Sequence, residues 1–168
     1  PNYRRVSDPY GGKDVVVLPP LHPDVAIVHV QRANEEGYSH IWGILGEQKE
    51  AAFAAKHVII TAEEIVADDI IRSDPNRTLI PGFIVDAVCE VPHCSHPSYT
   101  QGYYDRDNNF YLAWDKKSEN QDEVKQYLDE WIYGVKDRQQ YWEKLGKDVH
   151  DRLKVKPRLS YPVDYGAY

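Results

Sequence analysis

Short apolar runs separated by proline- or glycine-containing breaks mark the first half of the chain. Val15-Val16-Val17-Leu18 and Val25-Ala26-Ile27-Val28-His29-Val30 are rich in β-branched residues, the pattern of fully buried strands. Between them Pro19-Pro20-Leu21-His22-Pro23 excludes a helix, because three prolines remove amide donors and restrict the residues before them. Positions 48–56, QKEAAFAAK, are strong helix formers, and His57-Val58-Ile59-Ile60-Thr61 reads as a further strand. Strand, helix and strand in that order predict a parallel crossover. Residues 63–72 mix acidic and apolar positions and read as a helix ended by the turn Asp74-Pro75-Asn76. Residues 83–91 read as one more buried strand, and two prolines make residues 92–98 a loop.

From residue 107 to 145 the period becomes helical. Val124, Leu128, Trp131 and Val135 fall on one face, and Gly134 and Gly146 mark breaks. Ten of the 13 tyrosines lie from Tyr99 onward, with Trp114, Trp131 and Trp142, so an aliphatic half precedes an aromatic one. The expected fold is α/β: an open, mainly parallel sheet with crossover helices and an aromatic-rich helical C-terminal part. Residues 1–146 form the domain in this reading. Residues 147–168 form an extended tail containing Pro and Tyr, laid on a surface of this chain or of a partner.

A length of 168 residues allows one domain, and 42% hydrophobic with 28% charged residues excludes a mainly disordered chain. A formal charge of -7 opposes extended contact with nucleic acid phosphates. No apolar run approaches the ~18 residues of a membrane span, and no apolar signal core opens the chain. Only Cys89 and Cys94 occur, normal for a reducing compartment, so a cytoplasmic location is expected. With no methionine in the sequence, Pro1 is not a translation start, which leaves processing or a longer product.

Cys89, His93, Cys94 and His96 form the densest cluster of soft ligands. Their interleaved spacing departs from structural zinc sites, and Cys89 falls in a predicted buried strand, so no metal is expected. A nucleophilic Cys94 needs a base, and His93 or His96 are too close in sequence to converge on it readily. The glycine-rich phosphate loops of nucleotide sites are absent. Glu63-Glu64 and Asp68-Asp69 read as a solvated helix face, His29 as a satisfied core histidine, and Trp42 as a packing residue or a pocket wall. The loop after residue 91 sits where open α/β sheets present ligands. Its polar groups make His93, His96, Ser98 and Gln101, with Gln31 behind them, the expected substrate-contacting residues.

Three ordered phrases carry a resemblance. They are Val25-Ala26-Ile27-Val28-His29-Val30-Gln31 with Gly37 and Ile41-Trp42-Gly43; Arg72-Ser73-Asp74-Pro75 with Ile80-Pro81-Gly82-Phe83-Ile84-Val85-Asp86-Ala87-Val88; and Glu90-Val91-Pro92 with His96-Pro97-Ser98 and Tyr103-Tyr104-Asp105-Arg106-Asp107-Asn108. Over residues 8–146 the chain resembles the A subunits of family I CoA-transferases, the glutaconate CoA-transferase type. The resemblance implies transfer of CoA between an acyl-CoA and a carboxylic acid, with coenzyme A as substrate and no resident cofactor. It implies a hetero-oligomer, a heterodimer or heterotetramer, with a B-type CoA-transferase partner that supplies the nucleophilic glutamate. No catalytic nucleophile is therefore assigned here, and Glu36-Gly37 and Glu119-Asn120-Gln121 are accidental echoes of the glutamate motif of that B-type partner.

Two departures stand out. His93-Cys94-Ser95 replaces the small Gly-Ala pair usual before the His-Pro, which alters the size and polarity of the pocket wall. The family's glycine-rich N-terminal region has no counterpart, so the chain looks like the C-terminal portion of an A-type chain. Two rival readings stay open: a component of a CoA-thioester or ring-opening hydrolase of the same superfamily, and a non-catalytic assembly fragment.

Overall fold

The computed structural model of the protein describes residues 2–155. Strands β1 (Arg4–Val6) and β2 (Val15–Val17) pair antiparallel, with Arg5 opposite Val16. The run at 15–18 is thus one arm of a two-stranded ribbon and not the buried strand its composition suggests; Val16 is 58% and Leu18 74% exposed. A lone ribbon has no second layer, and β-branched residues alone do not supply one.

The main sheet is built from β3 (Val25–Ala33), β4 (Ser39–His40), β5 (His57–Ile65), β6 (Thr78–Ile80) and β7 (Ala87–Glu90), in the spatial order β6-β4-β3-β5-β7. β3 pairs parallel with β5, and β5 with β7, while β4 runs against β3 and β6. Only β4 opposes the common direction, so the expected mainly parallel sheet is found. Helix α1 (Gln48–Ala54) makes the crossover from β3 to β5. Its alanines, Ala52 fully buried and Ala51 and Ala55 partly so, allow close approach to Ala26, Val28, Val30, Val58, Ile60 and Ala62.

This face of β3 and β5 is sealed from Ala26 to Val30 and from Val58 to Ala62. Val25 is 48% and Ile27 69% exposed on the other, so β3 alternates where a fully buried strand was expected. The run expected as helix from residue 63 stays in β5 through Ile65, where Glu64 pairs with Arg32 and Ile65 with Ala33. Full-length pairing with β3 overrides local preference. Helix α2 (Asp68–Ser73) follows, and a single helical turn, Pro75–Arg77, leads into β6. The expected strand at 83–91 is also shorter. Gly82–Ile84 is a helical turn, and Gly82 lies so close to the Glu36 carbonyl and the Tyr38 ring that a side chain has no room. Cys89 therefore lies exposed on an edge strand, not in the core.

Four helices complete the described chain: α3 (Asn108–Ser118), α4 (Gln121–Trp131), α5 (Arg138–Leu145) and α6 (Lys147–Leu153). Side-chain oxygens of Asp107, Asn120 and Asp137 accept from free amides of the first turns of α3, α4 and α5, which fixes where each begins. Val124, Leu128 and Trp131 share a half-buried face, and the breaks fall at Gly134 and Gly146. The aromatic side chains pack on one another, Trp114 against Tyr127 at 4.9 Å and Trp131 against Tyr141 at 5.7 Å. Residues 147–153 are helical instead of extended, because Leu153 is buried and its carbonyl accepts from the Asp105 amide at 2.8 Å. The remainder of the expected tail, residues 156–168, lies outside the described residues. Among the described residues no helix is long and apolar enough to cross a membrane.

Candidate functional site

Strand alternation aims His29 and Gln31 of β3, and Thr61 and Glu63 of β5, at the face that α1 leaves uncovered. At the C-terminal ends of these strands the loop after β7 closes over that face. It is tightly held: Ser98 N–H donates to the Ser95 carbonyl at 2.7 Å, and Ser95 N–H to the Tyr104 hydroxyl at 2.8 Å. Arg138 of α5 reaches back to donate to the carbonyls of His93 and His96. The helical part thus fixes the loop's backbone.

Between loop and sheet lies a cleft of about 240 Å³, lined by His29, Gln31 and Ile41 below and by Ser95, Ser98, Tyr99, Thr100 and Gln101 above. Trp42 forms a side wall. Its ring lies 4.8 Å from the Arg77 guanidinium carbon, and its carbonyl accepts from Gln31 Nε2 at 2.8 Å. Gly43 has φ +101° and lies directly under the Gln101 side chain, so only glycine fits the turn there. Of the five residues expected to contact substrate, the fold brings Gln31, Ser98 and Gln101 into this cleft.

His93 and His96 turn the other way, correcting the single five-residue surface expected from the sequence. His93 stacks on Trp142 at 4.0 Å, and burial lowers its pKa. His96 is buried with Nδ1 2.9 Å from the Tyr141 hydroxyl and Nε2 3.2 Å from Asp107 Oδ2, while Arg152 donates to the same carboxylate. Burial depresses its pKa against the pull of Asp107. His93 ties the loop to α5 and His96 ties it to α5 and the start of α3, and neither lines the cleft. The His93 and His96 rings are thus engaged away from the exposed Cys89 on β7, and the four soft ligands of the sequence do not form one site. Among the described residues no group of three His, Cys, Asp or Glu is arranged to hold a metal ion.

Beside the cleft is a cluster that local sequence reading divided. Glu63, expected on a solvated helix, is buried in β5 and holds His29 Nε2 at 2.7 Å. It also accepts the His93 amide at 2.8 Å. His29 Nδ1 lies 3.0 Å from Thr61 Oγ1, and Cys94, the residue after the His93 amide that Glu63 holds, lies beside this pair. Burial opposes a charged His29 ring, yet the bonds to Cys94 and Glu63 outweigh it and raise its pKa to about 9. Glu63 is held low despite its burial by His29 and the His93 amide, and Cys94 is lowered chiefly by His29. The signal available in the sequence was spacing: His29 and Gln31 share one strand face, and extending β5 to residue 65 puts Glu63 on the same side. The imidazole that lowers the Cys94 pKa is His29 of β3, not His93 or His96.

A family model described as Coenzyme A transferase matches residues 4–91. The chain is 42% identical to the A subunit of 3-oxoadipate CoA-transferase from Pseudomonas knackmussii over 147 residues, 88% of this chain and 51% of that protein. It is 40% identical to the A subunit of glutaconate CoA-transferase from Acidaminococcus fermentans over 163 residues, 96% of this chain and 51% of the relative. An alignment of that length runs past residue 146, beyond the span expected from the motifs. The crystal structure of the Acidaminococcus fermentans glutaconate coenzyme A-transferase superposes with a TM-score of 0.85, covering 98% of this chain and 52% of that one. The chain spans about half the length of the curated relatives it matches. A family match over more than half the sequence, two relatives at 40% identity or above and the shared fold agree: the chain belongs to the coenzyme A transferase family.

Proposed function

We propose that this chain is the part of a CoA-transferase A subunit that forms one wall of an acyl site, in an enzyme moving CoA between an acyl-CoA and a carboxylic acid. The observation that carries the reading is the convergence of Gln31, Ser98 and Gln101 on one cleft at the C-terminal ends of parallel strands, with Trp42 as an apolar wall. An amide and a hydroxyl on a braced loop offer pre-set hydrogen bonds to a carboxylate or a thioester oxygen, and the Trp42 face suits the acyl chain. The nucleophilic glutamate comes from a B-type partner in a heterodimer or heterotetramer, with coenzyme A entering as substrate and no resident cofactor. The enzyme works in the cytoplasm.

The test uses the complete enzyme with its partner. Ser98→Ala and Gln101→Ala each remove a polar contact worth ~1–3 kcal/mol, so kcat/KM for the acid falls roughly 5- to 150-fold while assembly with the partner and far-UV circular dichroism stay unchanged. Wild-type kinetics in both variants across a panel of carboxylic acids would make the loop scaffold and overturn the site assignment.

A further inference from the structure

The second feature of the uncovered sheet face is a pair of thiols around one threonine. Thr61 sits in the middle of β5, in register with His29 on β3 and with Cys89 on β7. Register partners in a parallel sheet point to the same face, on strands ~4.8 Å apart. Cys89 therefore stands beside Thr61 on one side and is exposed. From the other direction the loop, pinned by the His93 amide on Glu63 at 2.8 Å, returns Cys94, only partly buried, beside Thr61 and His29, which lower its pKa. Only Glu90, Val91, Pro92 and His93 separate the two cysteines along the chain.

The two cysteines differ in chemistry. Cys94 lies beside His29, whose Nε2 is held 2.7 Å from the buried Glu63 carboxylate, an arrangement that favours a thiolate and imidazolium pair. Cys89 has no such partner in register; its neighbour is the Thr61 hydroxyl. An activated thiolate beside a second, exposed thiol is the arrangement of an attacking and a resolving cysteine. Neither cysteine lines the cleft, although His29 borders it.

We propose that Cys94 is a peroxide-reactive thiolate that, once oxidised, closes an intramolecular disulfide with Cys89. The Cys94 Sγ attacks one oxygen of a hydroperoxide, an S–O bond forms as the O–O bond breaks, and the leaving alkoxide or hydroxide takes the proton of the His29 imidazolium. Cys94 becomes a sulfenic acid, and the peroxide is reduced by two electrons to an alcohol or water. Cys89 Sγ then attacks the Cys94 sulfur. The S–S bond forms, the sulfenic hydroxyl leaves, and with the Cys89 proton it departs as a second water. A cellular thiol reverses the bond by exchange.

The experiment uses the full 168-residue chain, reduced, freed of reductant and exposed to a small excess of hydrogen peroxide at pH 7. Denaturing mass spectrometry should show loss of ~2 Da without dimer, and peptide mapping should place the bond between Cys89 and Cys94. Cys89→Ser should stop at a Cys94 sulfenic acid captured by dimedone, and Cys94→Ser should leave Cys89 reduced over the same interval. Glu63→Gln, checked for folding by circular dichroism, should slow the reaction at least tenfold, with iodoacetamide labelling of Cys94 slowed in parallel. Labelling of Cys94 no faster than Cys89, a disulfide only between separate chains, or equal peroxide rates in wild type and Glu63→Gln would each overturn the proposal. None of these readouts involves acyl transfer, so they stand or fall apart from the acyl-site reading.

Discussion

Replacing Glu63 by Gln removes one charge and keeps the side chain's shape, which isolates the buried pair with His29. The Glu63 side chain is 2% exposed and that of His29 14%, so solvent screens the pair little. A rise in the His29 pKa from 6.5 to about 9 corresponds to ~3 kcal/mol of preference for the charged ring in the folded state, at 1.36 kcal/mol per unit. That contribution is complete below pH ~6.5, declines as the pH rises and is gone above about 9. Glu63, held below its ordinary value of 4.5, contributes above that value and loses its share as the pH falls through its lowered pKa. Together these two groups favour the fold most between those limits. In Glu63→Gln, Cys94 alone sustains the charged ring, so the folded His29 pKa should fall by roughly one to two units, and stability at pH 6 by ~2–4 kcal/mol. Urea unfolding from pH 5 to 9.5 reads the stability, and a histidine titration by NMR reads the ring. The variant should lose most of the decline in stability between pH 6.5 and 9. Parallel pH–stability curves for the two proteins, or a His29 that still titrates near 9, would refute the account.

Burial on one sheet face should make neighbouring residues of β3 and β5 respond very differently. Ile60→Ala should cost ~2–5 kcal/mol in urea unfolding of the full chain, whereas Ile27→Ser, on the open face, should stay within ~0.5 kcal/mol; equal losses would mean that the open face is covered in solution. Arg138→Ala should free the carbonyls of His93 and His96, lowering stability by ~1–3 kcal/mol and raising amide exchange across residues 93–101. Unchanged exchange in that loop would show that the aromatic stacking alone holds it.

Local sequence pattern suffices for part of this fold. The β3, α1, β5 unit announces itself through β-branched runs around an alanine-rich helix, and the later helical part through the spacing of Val124, Leu128 and Trp131 and the glycine breaks, whereas the separate starts at Asp107, Asn120 and Asp137 emerge only in the structure. The failures share a cause. Val15-Val16-Val17 has a core composition, but only tertiary context decides whether a second layer covers it. Glu63-Glu64 looks like a wet helix face until β5 is paired to β3 along its full length, when Glu63 gains His29, 34 positions away, and can be buried. Lys147–Leu153 has little periodicity of its own and is held by the backbone contact of Asp105 with Leu153. For the site, the loop's position followed from the strand order, and Gln31, Ser98 and Gln101 do converge on one cleft there. The turning away of His93 and His96 followed from Trp142 and Tyr141, 45 or more residues downstream, a pairing no local pattern contains.

The bracing of the loop by Arg138 has a consequence for anyone wishing to retune the cleft by exchanging parts between relatives. A donor segment spanning residues 93–101 would arrive without the guanidinium that captures its carbonyls, or would have to accept the one already on α5. The interchangeable module is therefore discontinuous: the loop, Arg138 and the Tyr141–Trp142 pair that receives the two histidines travel together. Libraries that randomise Ser98 and Gln101 while leaving those supports untouched should retain far more folded members than libraries built by swapping the loop alone.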